Sequence, residues 1–225
     1  PDVGKGFDFD AITGQLADCG VDYMVFPARC NLGTAYYNTK IGIRHAALEY
    51  DLIGELAKAC QRRNIALTTY INIGLSHEEG LLHRDWLVLT QEGYAYKPNR
   101  LDHFFRSMCY NSPYGEHVTE MVREVASGYP IAGFFFDCMY TPPCVGVECI
   151  REMKQLGYDW QDENEIFVAT TGLPADYDVT ALREELQDES ANHTSHQAVV
   201  IAAQIQGKTA YDIMRDLGTD GVQLP

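Results

Sequence analysis

The sequence predicts an α/β fold of the (β/α)8 TIM-type barrel class, and three observations carry that prediction. Apolar, β-rich runs alternate along the chain with segments whose apolar residues recur at helical spacing. One run, Ile-Ala-Gly-Phe-Phe-Phe at 131–136, is too apolar to alternate, as expected of a parallel strand covered on both faces. No Gly-x-Gly-x-x-Gly follows any of these runs and no Walker pattern occurs, which weakens the rival architecture, a doubly wound nucleotide-binding sheet.

Val-Asp-Tyr-Met-Val-Phe-Pro-Ala at 21–28 reads as the first strand, with a long loop after it carrying Gly33, Tyr36 and Tyr37. A helix is expected over 48–64, where Leu48, Leu52, Ile53, Leu56, Ala59 and Cys60 form one stripe and Arg62 and Arg63 suit the negative end of the helix dipole. The run at 65–74 is the second strand. A loop with a short helical or irregular stretch follows it, and then a helix over 112–127. Ser112 is placed to cap that helix, Pro113 to open it without losing a bond, and Glu116 to suit its first turn. Val118, Met121, Val122 and Val125 are its inward residues.

The strand ending at Asp137 comes next, then a helix over 144–160 with Ile150, Met153 and Leu156 ahead of Gly157. Beyond it the pattern blurs. The stretch 165–172 reads as a weak strand, 180–192 as a solvated helix, 196–205 as a strand or a buried helix, and 209–225 as a helix followed by a short strand. Read as one domain, 225 residues is short for eight units, which usually need about 250. A fragment, a barrel with lost loops, or a core completed by a second copy in a homo-oligomer are the readings this leaves open.

Charge narrows the ligand. A net charge of −15 argues against a nucleic-acid partner, which requires a basic footprint, and favours a neutral or weakly charged one. No apolar run approaches the roughly 20 residues that cross a bilayer, so no membrane partner is expected. Seven cysteines, an odd set in a chain too large to need disulfide staples, point to reduced thiols and a cytoplasmic location. The spacing of Cys138, Cys144 and Cys149 lies outside the tight pairs of structural zinc sites, and neither metal nor cofactor is assigned.

Asp137 is the outstanding candidate. Three phenylalanines precede it and two prolines follow, more apolar scaffold than a capping or surface-paired carboxylate requires. In a barrel the C-terminal strand ends gather at one face, where a carboxylate meets both low-dielectric walls and a ligand.

Several segments in fixed order also carry a resemblance: Tyr36-Tyr37 with His45 after the first strand, His83-x-x-Trp86 after the second, Asn111-Ser-Pro-Tyr opening the next helix, then Phe-Phe-Asp137 and a cysteine-bearing loop. In this order residues 1–160 resemble the hypothetical glycosyl hydrolase six group, barrel proteins related to α-L-fucosidases, whereas 161–225 are placed only loosely. The resemblance implies a carbohydrate substrate and the role of nucleophile for Asp137. Glycoside hydrolysis generally needs a second carboxyl group, kept protonated by desolvation or a neighbouring charge. Glu165, Glu148, Glu78 and Glu79 are its candidates, with Glu165 preferred for its place at the start of the next expected strand.

Sugar recognition calls for aromatic faces and planar hydrogen-bonding groups on the strand-end loops. Arg29, Asn31, Tyr36, Tyr37 and His45 follow the first strand; Asn72, His77 and Trp86 follow the second; Arg106 and Asn111 flank the third unit; Tyr140 follows Asp137. Two other readings compete. One is a metal-dependent hydrolase built on His45, His77, His83, His103 and Asp137, although no paired-histidine motif supports it. The other is a catalytically inactive barrel that binds carbohydrate or supports an oligomer.

Overall fold

Three parallel strands set the frame. The computed structural model describes residues 3–96, 105–139 and 142–171, which form a mixed α/β arrangement of five strands and six α-helices of the kind found in part of a TIM-like barrel. The expected elements beyond 171, and the site residues Tyr140 and His103, lie outside the described residues. The chain divides into two compact units, one made of 1–86 and 97–137, the other of 87–96 and 138–225.

In the first unit, helix α1 (Phe9–Asp18) leads into strand β1 (Tyr23–Arg29). Short strands β2 (Thr34–Ala35) and β3 (Ile43–Arg44) come next, then helix α2 (Leu52–Arg62), strand β4 (Ala66–Asn72), helix α3 (His77–Leu82), helix α4 (Tyr114–Gly128) and strand β5 (Gly133–Asp137). The sheet order is β3-β2-β1-β4-β5. β1, β4 and β5 run parallel, while β2 pairs antiparallel with β1 at the edge. The Asp8 side chain caps α1 by accepting from the Ala11 amide at 2.9 Å.

The two faces of this sheet differ. Met24 and Phe26 of β1 and Leu67 of β4 pack with Leu56, Ala57 and Cys60 of α2 and with Phe9, Leu16 and Ala17 of α1. Strand side chains alternate, so Tyr23, Val25, Tyr70, Phe135 and Asp137 share the opposite face. The expectation that the triple-phenylalanine strand is covered on both sides needs correction here: Phe135 is 53% exposed, as are Tyr23 and Val25 to similar extents, on the face that a closed barrel would turn inward. High apolarity marks the strand correctly and overstates its cover, because composition cannot count the strands that close a sheet.

In the second unit a hairpin spans 88–96, with the Tyr96 amide donating to the Val88 carbonyl and the Thr90 amide to that of Tyr94. Helix α5 (Val147–Leu156) ends at Gly157, whose φ of 85° is the left-handed stop that glycine supplies. Helix α6 (Glu163–Thr171) occupies the stretch expected to be a strand. The reason is local: the Asp162 carboxylate accepts the amides of Asn164 at 2.8 Å and Glu165 at 3.1 Å, so a capped, acidic first turn outweighs the β-branched residues behind it.

Asp51 joins two helices of the first unit. Its Oδ1 accepts the Gly54 amide at 2.8 Å and caps α2, and its Oδ2 accepts the Tyr129 hydroxyl at 2.6 Å, just past the end of α4. Losing the cap costs about 1 kcal/mol and losing the charged hydrogen bond about as much again. Asp51→Ala should therefore destabilise the chain by about 2 kcal/mol in urea unfolding and Tyr129→Phe by about 1 kcal/mol; equal losses would show that the cap contributes nothing.

Candidate active site

Asp137 closes β5 opposite Asn72, and Phe135 lies opposite Tyr70, so the two strand ends present Tyr70, Asn72 and Asp137 on the face turned away from α1 and α2. The Tyr70 hydroxyl lies 2.6 Å from Asp137 Oδ2 and 2.9 Å from Asn31 Oδ1, Asn31 standing two residues past β1. Asn72 Nδ2 donates to the same Asn31 oxygen at 2.9 Å. The amide of Asn72 can face only one way, because its Oδ1 accepts the Leu75 amide at 2.8 Å. The Ile73 amide donates to the Asp137 carbonyl at 3.0 Å and ties the ends of β4 and β5 together. Immediately afterwards Cys138 takes a φ of 56°, a left-handed conformation that a residue with a Cβ adopts at a cost and that tends to occur beside functional groups.

Behind this network lies a buried ionic one. Arg29, the last residue of β1, has no exposed surface; its Nη1 donates to the Asn72 and Leu75 carbonyls and its Nη2 to Glu79 Oε2 at 2.6 Å. His117 Nε2, on α4, lies 2.7 Å from Glu79 Oε1. Ser76 caps α3 by accepting the Glu79 amide at 3.2 Å. Gly33 passes so close that a Cβ there would sit 2.0 Å from Ser76 Oγ, and its φ of 94° also requires glycine. Burial pushes the Glu79 carboxyl up, but His117 and the Arg29 guanidinium outweigh it and hold the group below the usual carboxylate range. A carboxyl whose charged form is favoured is less suited to donate a proton, and Glu79 is in addition buried between Arg29 and His117. Tyr114, fully buried, donates to the Ile73 carbonyl, and burial pushes its hydroxyl up to about 12.

The predicted site residues separate into groups. Asn31 and Asn72 meet directly, and Asp137 joins them through the Tyr70 hydroxyl. Arg29 and Tyr37 are fully buried and act as supports, the Tyr37 ring packing edge-on to Tyr129 at 5.8 Å. Tyr36 and His45 are half-buried and 5.6 Å apart, with His45 Nδ1 accepting the Ala47 amide at 3.2 Å. Trp86 is half-buried, stacked on His83 at 3.8 Å and 5.1 Å from His117. His77 opens α3 and its amide donates to the Leu32 carbonyl at 3.0 Å; the Arg106 carbonyl accepts the Ser76 amide at 3.0 Å; Asn111 is exposed ahead of α4. Glu148 and Glu165 belong to the second unit, where Glu148 pairs with Arg151 and Glu165 accepts the Asp159 amide. Among the described residues, His45, His77, His83 and Asp137 do not gather their ligand atoms into one group. Sequence reading passes over Tyr70 and His117. Tyr70 is within its reach, since it stands two residues before Asn72 on the same strand face; nothing in the spacing links His117 to Glu79.

Glu79 makes a test by pH. Its carboxyl is held below its unfolded value, so the folded chain binds fewer protons than the unfolded one, and the contribution is present above about pH 4.3 and lost as pH falls further. Breaking one partner of a buried pair costs about 3 kcal/mol. Glu79→Gln should lower stability by about that amount at neutral pH and flatten its fall in acid; an unchanged acid limb would show that the ion pair contributes nothing.

Residues 8–138 match the family model described as hypothetical glycosyl hydrolase 6. Among solved structures, α-L-fucosidase isoenzyme 2 from Paenibacillus thiaminolyticus superposes with a TM-score of 0.68 at 22% identity, over 76% of this chain and 27% of that one. A hypothetical protein from Ruminiclostridium thermocellum ATCC 27405 aligns over 74% of this chain and 86% of its own, with a TM-score of 0.47 and 13% identity. An α-L-fucosidase from Bacteroides thetaiotaomicron aligns over 59% of this chain and 27% of its own, with a TM-score of 0.43 and 18% identity. No curated protein matches. This chain thus spans about a quarter of the fucosidase it superposes on best among these three, and that likeness is one of fold. With more than half of its length matched, the chain belongs to the hypothetical glycosyl hydrolase 6 family.

Proposed function

We propose that this chain acts as a glycoside hydrolase on a neutral-sugar glycoside, fucosidase-like and retaining, with Asp137 as nucleophile. The observation that carries the reading is the placement of Asp137 at a strand end, its Oδ2 2.6 Å from the Tyr70 hydroxyl and beside Asn31 and Asn72, all on the face away from the helices. In this reading the chain belongs to a (β/α)8-type barrel domain, cytoplasmic and open to homo-oligomer formation. Family membership and the fold shared with a fucosidase support the reaction class.

In a retaining reaction the nucleophile bonds the anomeric carbon while a second carboxyl, about 5–5.5 Å away, protonates the departing oxygen. The Tyr70 hydroxyl is a neutral donor, so it orients the Asp137 carboxylate without neutralising it. Glu165 is the carboxyl proposed as acid and base, on its position in the sequence. Tyr36, His45, His77, Trp86, Arg106, Asn111 and Tyr140 supply the proposed sugar contacts, whereas Arg29, Tyr37 and Asn72 hold the site from behind.

Chromogenic aryl glycosides, fucosides and galactosides first, are the assay. Asp137→Asn should cut turnover by about a thousandfold or more while sugar binding changes little. Glu165→Gln should slow glycosides with poor leaving groups by about a hundredfold or more and spare activated aryl ones. A parent chain that binds these sugars and turns over none of them would overturn the enzyme in favour of an inactive carbohydrate-binding barrel.

A further inference from the structure

Among the described residues the Tyr70 hydroxyl, with its one proton, faces two acceptors. Asp137 Oδ2 lies at 2.6 Å and Asn31 Oδ1 at 2.9 Å, and both must accept. Asn31 cannot be turned to offer its amino group instead, because its oxygen already receives Asn72 Nδ2, and Asn72 is fixed in turn by the Leu75 amide. Asn72 is fully buried, so this orientation is set by the fold. A hydroxyl between a carboxylate and a neutral amide oxygen gives its proton to the carboxylate, where the charge-assisted bond is the shorter and stronger of the two. The two distances follow that order.

We propose that Tyr70 is a positioning residue whose hydroxyl proton switches between Asp137 and Asn31 as Asp137 gains and loses its charge. The proposal rests on the reading of Asp137 as nucleophile and deepens it. In the free chain the proton is on the Asp137 side, and Oδ2, so held, fixes the rotation of the carboxylate. When the carboxylate bonds the anomeric carbon, the glycosidic bond breaks, its electron pair leaves on the departing oxygen, and the general acid protonates that oxygen. Asp137 is then a neutral ester and a weak acceptor. The Tyr70 proton stays on Tyr70 and rotates toward Asn31, so the bond given up at Asp137 is replaced. When water cleaves the ester the carboxylate returns, and the proton swings back.

A ligand-independent measurement locates the proton. In the full chain labelled at the tyrosine ζ-carbon, the Tyr70 resonance, assigned by its loss in Tyr70→Phe, should lie downfield in the parent and in Asn31→Ala, and move upfield in Asp137→Asn. A resonance that ignores Asp137→Asn and moves in Asn31→Ala would overturn the proposal, because the proton would then be given to Asn31 throughout. Aryl glycoside kinetics supply the second arm. Tyr70→Phe, which keeps the ring packed on Phe135, should lower kcat roughly tenfold to a hundredfold with KM within about twofold, and Asn31→Ala should lower kcat with Tyr70 still bound to Asp137. Equal kcat in Tyr70→Phe and the parent would overturn it. If the parent hydrolyses no glycoside, the nucleophile reading fails, and the resonance comparison still decides where the proton lies.

Discussion

The fully buried guanidinium of Arg29 holds the end of β4. It donates to the carbonyls of Asn72 and Leu75, where the strand has ended and the chain turns toward α3, and it meets Glu79 in the first turn of that helix. Backbone carbonyls that leave a sheet must find donors, and a charged, planar fork can serve two of them while pairing with a carboxylate. Because these carbonyls are fixed, the Asn72 side chain is fixed, and Asn31, Tyr70 and Asp137 are then arranged around it. Gly33 and Ser76 show how closely the loops are fitted at this point, since no Cβ fits between them.

The two networks divide the electrostatic work. The full charges of Arg29 and Glu79 are paired at the back, with the His117 ring against the second Glu79 oxygen, where desolvation makes an unpaired ion costly. At the front, Asp137 meets the Tyr70 hydroxyl, itself tied to the amides of Asn31 and Asn72. A neutral donor orients a carboxylate and leaves its charge available for attack. The spacing of the strands makes this possible, because side chains at the ends of β4 and β5 share a face only in the observed register, and a slip of one residue would send Asp137 to the helix side.

Much of this is legible in the sequence. The strands at 21–28 and 65–74 agree with β1 and β4 to within two residues, and the apolar run before Asp137 marks β5, because period and composition are local properties. The helix expected from 48 starts at Leu52, since Asp51 captures the Gly54 amide and stops it there. The stretch after 163 misleads for the opposite reason, its β-branched residues being more visible than the Asp162 cap that makes it helical. Of the site, Asp137, Asn31 and Asn72 follow from their places at strand ends. Arg29 reads as a sugar contact, yet it serves as a buried support, because a cation after a strand gives no sign that its partners are carbonyls 43 and 46 residues away. The contact between His117 and Glu79 spans 38 residues and depends on how α4 returns past α3, which no spacing rule records.

If Asp137 forms the covalent bond to sugar, the intermediate can be trapped. The direct measurement is mass spectrometry of the full chain after incubation with activated 2-fluoroglycosides, followed by peptide mapping. One added glycosyl group, carried by Asp137 and absent from Asp137→Asn, is the expected result. A glycosyl group mapped to another carboxylate, or hydrolysis of activated glycosides that leaves Asp137 unlabelled under every quench, would contradict it.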